Sequence, residues 1–172
     1  MTLSNPKSKI QNPKSPVRLR PATAADQPTI RRMVRGARLN PRHLEWPNFV
    51  VAVDEGGTMV GCGQIRPHQG DVWELASLVT AEAWRGRGVA ADIIHHLQAQ
   101  HAQNHPNAPL WLMCASNLVP FYTPFGFAEV TNNPELPAYF GRMRTIARTI
   151  QWLSFGGYGE EIEMRDRDRE DL

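Results

Sequence analysis

Ala83–Leu97 reads AWRGRGVAADIIHHL. Gly86 and Gly88 alternate with Arg85 and Arg87, and an apolar-periodic run begins at Val89. Glycine permits positive φ and close approach of the main chain to a ligand. The first N–H groups of a helix lack intrahelical partners, and the helix dipole adds positive potential to them. The stretch therefore predicts a helix that opens on an anion, held by the amides from Gly86 to Ala91, with Arg85 and Arg87 supplying mobile charge.

Three kinds of phosphate loop compete for this reading. A Walker loop needs a lysine after its second glycine, and none follows here. Gly86–Ala91 fits the dinucleotide pattern G-x-G-x-x-A, but that site also needs an acid about 20 residues further on to hold the ribose. No Asp or Glu occurs between Asp92 and Glu129, and AEAWR intervenes where a tight strand-to-glycine turn is required.

Upstream, FVVAV (Phe49–Val53), MVGCGQI (Met59–Ile65) and DVWELASLVT (Asp71–Thr80) read as strands. The turn DEGG makes the first two a hairpin, and the third is long and central. VRLR before Pro21 reads as a short strand. Thr23 and Asp26 form a capping box ahead of a helix over 24–38, with Ile30, Met33, Val34 and Ala37 at helical spacing. Downstream come a helix from Val89 to Gln103, the strand PLWLMCA (Pro109–Ala115), a short helix in NLVPFYTPF with Asn117 as N-cap, and the strand GFAEV (Gly126–Val130). A helix over Pro137–Leu153, ended by GGYG, and a last strand in EEIEMR complete the pattern. The expected fold is α+β, with one mixed, mostly antiparallel central sheet and helices on both faces.

The 172 residues suggest one domain over 17–165, with an arm over 1–16 that repeats NPKS and a charged tail over 166–172. The 19 basic and 17 acidic residues are too balanced, and too dispersed, to argue for nucleic acid. No run approaches a membrane span, and no signal-peptide core is visible. Cys62 and Cys114 read as small apolar strand residues in a reducing compartment, which makes the expected location cytoplasmic. His101 and His105 have the i, i+4 spacing of metal ligands, but no third ligand is evident. They read as surface histidines at a helix end, and no metal is expected.

The pieces together resemble the GNAT superfamily of acyl-CoA-dependent N-acetyltransferases. Arg85-Gly86-Arg87-Gly88-Val89-Ala90 meets its [QR]-x-x-G-x-[GA] loop, ELASLVTAEAWRGRG resembles its strand-plus-loop pattern, and NLVPFYTPFGF resembles its N..A..FY...GF segment. The likeness spans roughly 17–130. Two positions depart from it: Thr80 stands where valine is usual, and Glu82 where proline is frequent.

The resemblance implies that Arg85, Gly86, Arg87, Gly88, Val89, Ala90 and Ala91 hold the pyrophosphate of acetyl-CoA. It implies that Leu78, Val79 and Thr80 pair through their backbone with the pantetheine arm, and that Asn117 bonds to it. Tyr122 would protonate the leaving thiolate, and Glu74 would take the proton of the attacking amine, directly or through water. Strand alternation places Glu74, Ala76, Leu78 and Thr80 on one face. The implied activity is acetyl transfer to a primary amine of a small molecule or peptide by direct attack in a ternary complex. A non-catalytic acyl-CoA sensor is the alternative, and it could dispense with Tyr122 and Glu74. The acceptor would meet segments 38–47, 66–70 and 132–155, where His43, Trp46, Tyr139 and Arg142 are candidate lining residues. The late helix either covers this pocket or forms a homodimer face.

Overall fold

A computed structural model describes residues 17–130, 136–142 and 161–166. The expected arm, the later part of the Pro137–Leu153 helix with its GGYG end, and the tail beyond Asp166 lie outside these residues. Seven strands among them form one sheet: β1 (Arg18–Pro21), β2 (Phe49–Val53), β3 (Met59–His68), β4 (Val72–Thr80), β5 (Leu110–Ala115), β6 (Phe127–Glu129) and β7 (Glu161–Asp166). Their spatial order is β1-β2-β3-β4-β5-β7-β6. All neighbours are antiparallel except β4 and β5. The mixed, mostly antiparallel sheet is the one expected.

Helices cover both faces. Every residue of β2 is buried, as a strand sandwiched between two layers requires. Val50 and Ala52 face α2 (Val89–Asn104), where they join Val89, Ile93, Ile94 and Leu97. Phe49, Val51 and Val53 face α1 (Gln27–Gly36), where they join Ile30 and Val34. Ile93 and Ile94 are 0% exposed, so truncating either to alanine costs about 2–5 kcal/mol. The approach of α2 is close because β3 carries glycine beneath it: a Cβ on Gly63 would lie 2.9 Å from Ile93 Cγ2.

The capping turn forms where the sequence places it. The Asp26 carboxylate accepts from Thr23 N at 2.7 Å and Thr23 Oγ1 at 2.8 Å, and Arg20 adds a two-pronged contact at 2.7 and 2.9 Å. That guanidinium holds the Asp26 carboxyl far below the usual carboxylate range. Residues Ala24–Asp26 form a 3₁₀ turn, and α1 ends at Gly36, two residues short of the expected end.

Two expectations change. First, β3 continues three residues past Ile65, through Pro67 to His68. β2 pairs with β3 only as far as Gln64, so beyond that point the missing N–H of Pro67 removes no ladder bond on that side. Second, His101 is not a surface residue. It is 2% exposed, with Nε2 lying 3.0 Å from the Ala108 carbonyl, and His105 stacks on Trp73 at 3.7 Å. Both rings help join the end of α2 to the sheet.

Candidate active site

The site is built around an opening in the sheet. The parallel strands β4 and β5 are in register only at Trp73↔Leu110 and Glu74↔Trp111. Beyond Glu74, β4 runs on to Thr80 paired only with β3, while β5 runs to Ala115 paired with β7. The β5-facing edge of β4 past Glu74 therefore has no strand partner among the described residues. Such an edge is a template for an extended chain.

At the end of this edge the chain turns through Glu82–Trp84 into the glycine loop. Gly86 and Gly88 adopt φ of 73° and 84°, the left-handed region that disfavours a side chain. Gly88 is the N-cap of α2 and makes no side-chain cap, so the first-turn N–H groups from Val89 onward stay available to an anion. Arg85 and Arg87 are both exposed. The Arg85 Nε reaches the Thr80 carbonyl at 3.4 Å, and the Arg87 guanidinium lies 5.2 Å from the Trp84 ring centre. The loop, its two arginines and the Leu78–Thr80 edge thus form one continuous surface.

Tyr122 lies on the α2 side of the sheet. It ends α3 (Val119–Tyr122) and packs against the core under α2, with Phe121 and Phe127 around its ring. Gln98 on α2 donates to the Phe125 carbonyl at 2.8 Å and fixes the turn that follows. Burial, with a smaller contribution from Cys114 on β5, raises the phenol above its ordinary range and keeps it protonated. Asn117 does not cap this helix. It lies inside the 3₁₀ turn Ser116–Leu118, is exposed, and makes no side-chain hydrogen bond among the described residues. Two successive short turns, with Pro120 in the first turn of α3, move the N-cap of α3 from Asn117 to Leu118, one residue later than expected.

Glu74 lies on the opposite face. Leu75 packs under α2, so its neighbour Glu74 points to the α1 side, where it is 7% exposed. The expected alignment of Glu74 with Leu78 fails, because Leu78 packs under α2. Two steps on β3, from Cys62 to Gln64, match three on β4, from Val79 to Ala76. The extra residue is accommodated at Ser77, whose φ is 54°. Such a bulge reverses the facing of every later side chain.

Around Glu74 the structure assembles Arg66 and His68, which the sequence placed only within the acceptor segment 66–70, and Gln64, which it did not select. Arg66 Nη1 lies 3.4 Å from Glu74 Oε2, and His68 Nε2 lies 2.8 Å from the same oxygen. The His68 ring stacks on Tyr139 at 3.7 Å. Burial and the Glu74 charge raise the Tyr139 phenol, while Arg66 and Arg42 oppose them. Gln64 Nε2 donates to Ser77 Oγ at 2.9 Å and to the His43 carbonyl at 3.1 Å. The signal for Gln64, Arg66 and His68 was their alternation along QIRPH, hidden by ending the strand at Ile65. Of the expected acceptor-lining residues, Tyr139 and the His43 backbone join this cluster. Trp46 is tied to Gln27 through its N–H at 2.9 Å, and Arg142 is exposed. Among the described residues, no group of three His, Cys, Asp or Glu could hold a metal, and no helix is long and apolar enough to cross a membrane.

Comparison with known proteins agrees with this architecture. The acetyltransferase (GNAT) domain profile matches residues 27–136, more than half of the chain. No curated protein sequence matches. Rv2747 from Mycobacterium tuberculosis, solved in complex with CoA, superposes with a TM-score of 0.64 at 21% identity, over 86% of this chain and 97% of its own. Escherichia coli ElaA superposes with a TM-score of 0.64 at 14% identity, over 87% and 98%. N-acetylglutamate synthase from Neisseria gonorrhoeae, complexed with coenzyme A and L-arginine, gives a TM-score of 0.64 at 18% identity, over 90% of this chain and 34% of its own; this chain thus spans about a third of that protein. The chain belongs to the GNAT acetyltransferase family and is an acyltransferase.

Proposed function

We propose that the domain over 17–165 transfers an acetyl group from acetyl-CoA to a primary amine by direct attack in a ternary complex. One observation carries the reading. The β4 edge past Glu74, without a strand partner among the described residues, leads into the Gly86–Gly88 turn and the open first turn of α2. The amides from Gly86 to Ala91, with Arg85 and Arg87, hold the pyrophosphate. The backbone of Leu78, Val79 and Thr80 pairs with the pantetheine arm, and the exposed Asn117 bonds to it.

The ammonium gives a proton to Glu74, directly or through one water, and the freed lone pair attacks the thioester carbonyl. The new C–N bond forms as the C–S bond breaks; the departing thiolate takes the proton of Tyr122, and the second proton of the acylated nitrogen passes to the Tyr122 oxygen, directly or through water, which leaves a neutral amide and a restored phenol. A base on the α1 side and an acid on the α2 side suit a displacement in which amine and thiol occupy opposite sides of the carbonyl.

Release of free CoA thiol from acetyl-CoA, measured against a panel of small amines and peptides, tests the reading. Amine-dependent thiol release that falls in both Glu74→Gln and Tyr122→Phe is the expected result. Tight CoA binding with no thiol release for any amine overturns it in favour of a sensor.

A further inference from the structure

The α1-side face of the sheet beside Glu74 carries two buried polar atoms without partners among the described residues, and they are of opposite kind. Gln64 is 0% exposed and Arg66 is 3% exposed. Among the described residues, Gln64 Oε1, an acceptor, and Arg66 Nε, a donor, make no hydrogen bond. Native folds seldom leave such atoms unpaired, because each gives up water for nothing. Neither side chain is free to turn away. Gln64 Nε2 is held by the His43 carbonyl and Ser77 Oγ, and the carbonyl, which only accepts, fixes which end of the amide points at it.

Three further Arg66 contacts are slack, at 3.4 Å to Glu74 Oε2, 3.3 Å to the Arg42 carbonyl and 3.4 Å to Ser77 Oγ, and the Tyr139 phenol is a fourth neighbour. A guanidinium satisfied by a carboxylate makes shorter, paired bonds, at about 2.7–2.9 Å. Arg66 and Glu74 are direct partners across β3 and β4, and Gln64 is the next residue on the same face of β3. One small molecule can therefore meet all three. The charges facing this spot are Arg66 from β3 and Glu74 from β4, with Arg42 near enough to act on Tyr139. His68 and the Tyr139 phenol are titratable neighbours of Glu74, and the buried Glu163 and the half-buried Arg165 lie on the same face one strand beyond β5.

We propose that this cluster binds the acceptor, and that the acceptor is a free α-amino acid. Its carboxylate binds the Arg66 guanidinium through Nε and a terminal nitrogen. Its ammonium is held by Gln64 Oε1 and Glu74 until Glu74 takes the proton. The two orphaned atoms, one donor and one acceptor, match the two charged ends of an α-amino acid. An aliphatic amine would leave Arg66 Nε unpaired, and a peptide N-terminus has no carboxylate next to its amine. The inference rests on the acyltransferase reading above and on Glu74 as the proton acceptor.

The experiment uses the full chain with acetyl-CoA. The acceptors are the free protein amino acids, each beside its α-carboxamide and its decarboxylated amine, and thiol release is recorded. A site built around a charged partner rejects the analogue that lacks it, so at least one free amino acid is expected to exceed its carboxamide by about 100-fold or more in kcat/KM. Arg66→Met is expected to bring that ratio to within about 10-fold, with the thermal shift by CoA retained as proof of folding. Arg66→Lys, which keeps the charge without the planar fork, is expected to fall between. Carboxamides or decarboxylated amines that match the free amino acids overturn the proposal. So does a ratio unchanged in both folded Arg66 variants, or no amino acid accepted by a protein that CoA stabilises. Absence of any CoA stabilisation instead overturns the donor reading on which it rests.

Discussion

Glu74 and Leu78 are four residues apart on β4 and face opposite sides of the sheet. Ser77 is responsible: its φ of 54° inserts one residue into the ladder. Its hydroxyl accepts from Gln64, so the bulge and the polar cluster support each other. A β-branched residue is strained in the left-handed region, whereas glycine is not. Ser77→Val is expected to lower stability by about 1–3 kcal/mol, measured by chemical denaturation. Ser77→Gly keeps the backbone but loses the hydroxyl, and its loss is expected to be the smaller of the two. Equal stability of the valine variant and the native chain would mean that the bulge is not where the ladder shifts.

The carboxylate beside that bulge has two partners on one oxygen. Oε2 takes His68 at 2.8 Å and Arg66 at 3.4 Å. An ionised carboxylate only accepts, so His68 donates from Nε2. Glu74→Gln keeps the shape and removes the proton acceptor, and it is expected to lower kcat/KM by about 10²–10⁴-fold. His68→Gln retains a donor toward Glu74 and is expected to cost less than Glu74→Gln. Thiol-release kinetics with parallel CoA titration would check both, and CoA affinity is expected to stay within error of the native value. A Glu74→Gln enzyme of native kcat/KM would remove Glu74 from the chemistry.

The elements that could be read in advance were those whose pattern is local. β2 came out residue for residue because FVVAV is apolar throughout and flanked by turn residues. The Gly86–Gly88 loop was legible because its glycines have a conformational reason to be there. The acceptor side was less so. The bulge at Ser77 depends on how β4 pairs with β3, and no residue type announces it. Pro67 looked like a strand end, yet it sits where β3 has lost its second neighbour. Arg66 and His68 were therefore placed only within an irregular acceptor segment, and Gln64 was missed. Asn117 looked like a cap, but the chain preferred two short turns around Pro120.

Tyr122 offers a pH test with a definite sign. A phenol titrates at about 10 in an unfolded chain, and burial raises it further in the fold. The folded state therefore holds this proton more tightly than the unfolded state. Its contribution to stability is fully present below about pH 10 and is lost as pH rises beyond that. For catalysis, the proton-bearing form persists across any ordinary assay range. Tyr122→Phe is expected to lower kcat by about 10²-fold or more while leaving the CoA dissociation constant nearly unchanged. The native pH–rate profile should show no fall attributable to phenol ionisation below about pH 10. If Tyr122→Phe keeps full kcat, Tyr122 is a packing residue.

Gly88 is both the N-cap of α2 and a residue with φ of 84°. A side chain there must either strain the turn, by about 1–3 kcal/mol, or rotate the first-turn amides away from the anion they are aimed at. Gly88→Val is therefore expected to weaken CoA binding by at least about 10-fold, read by isothermal titration, with a drop in melting temperature. Gly36, at the end of α1, is the control. A Cβ there meets nothing within 4 Å, so Gly36→Ala is expected to gain up to about 1 kcal/mol of stability and leave CoA affinity unaltered. Should Gly88→Val bind CoA as tightly as Gly36→Ala does, the pyrophosphate does not rest on this helix end.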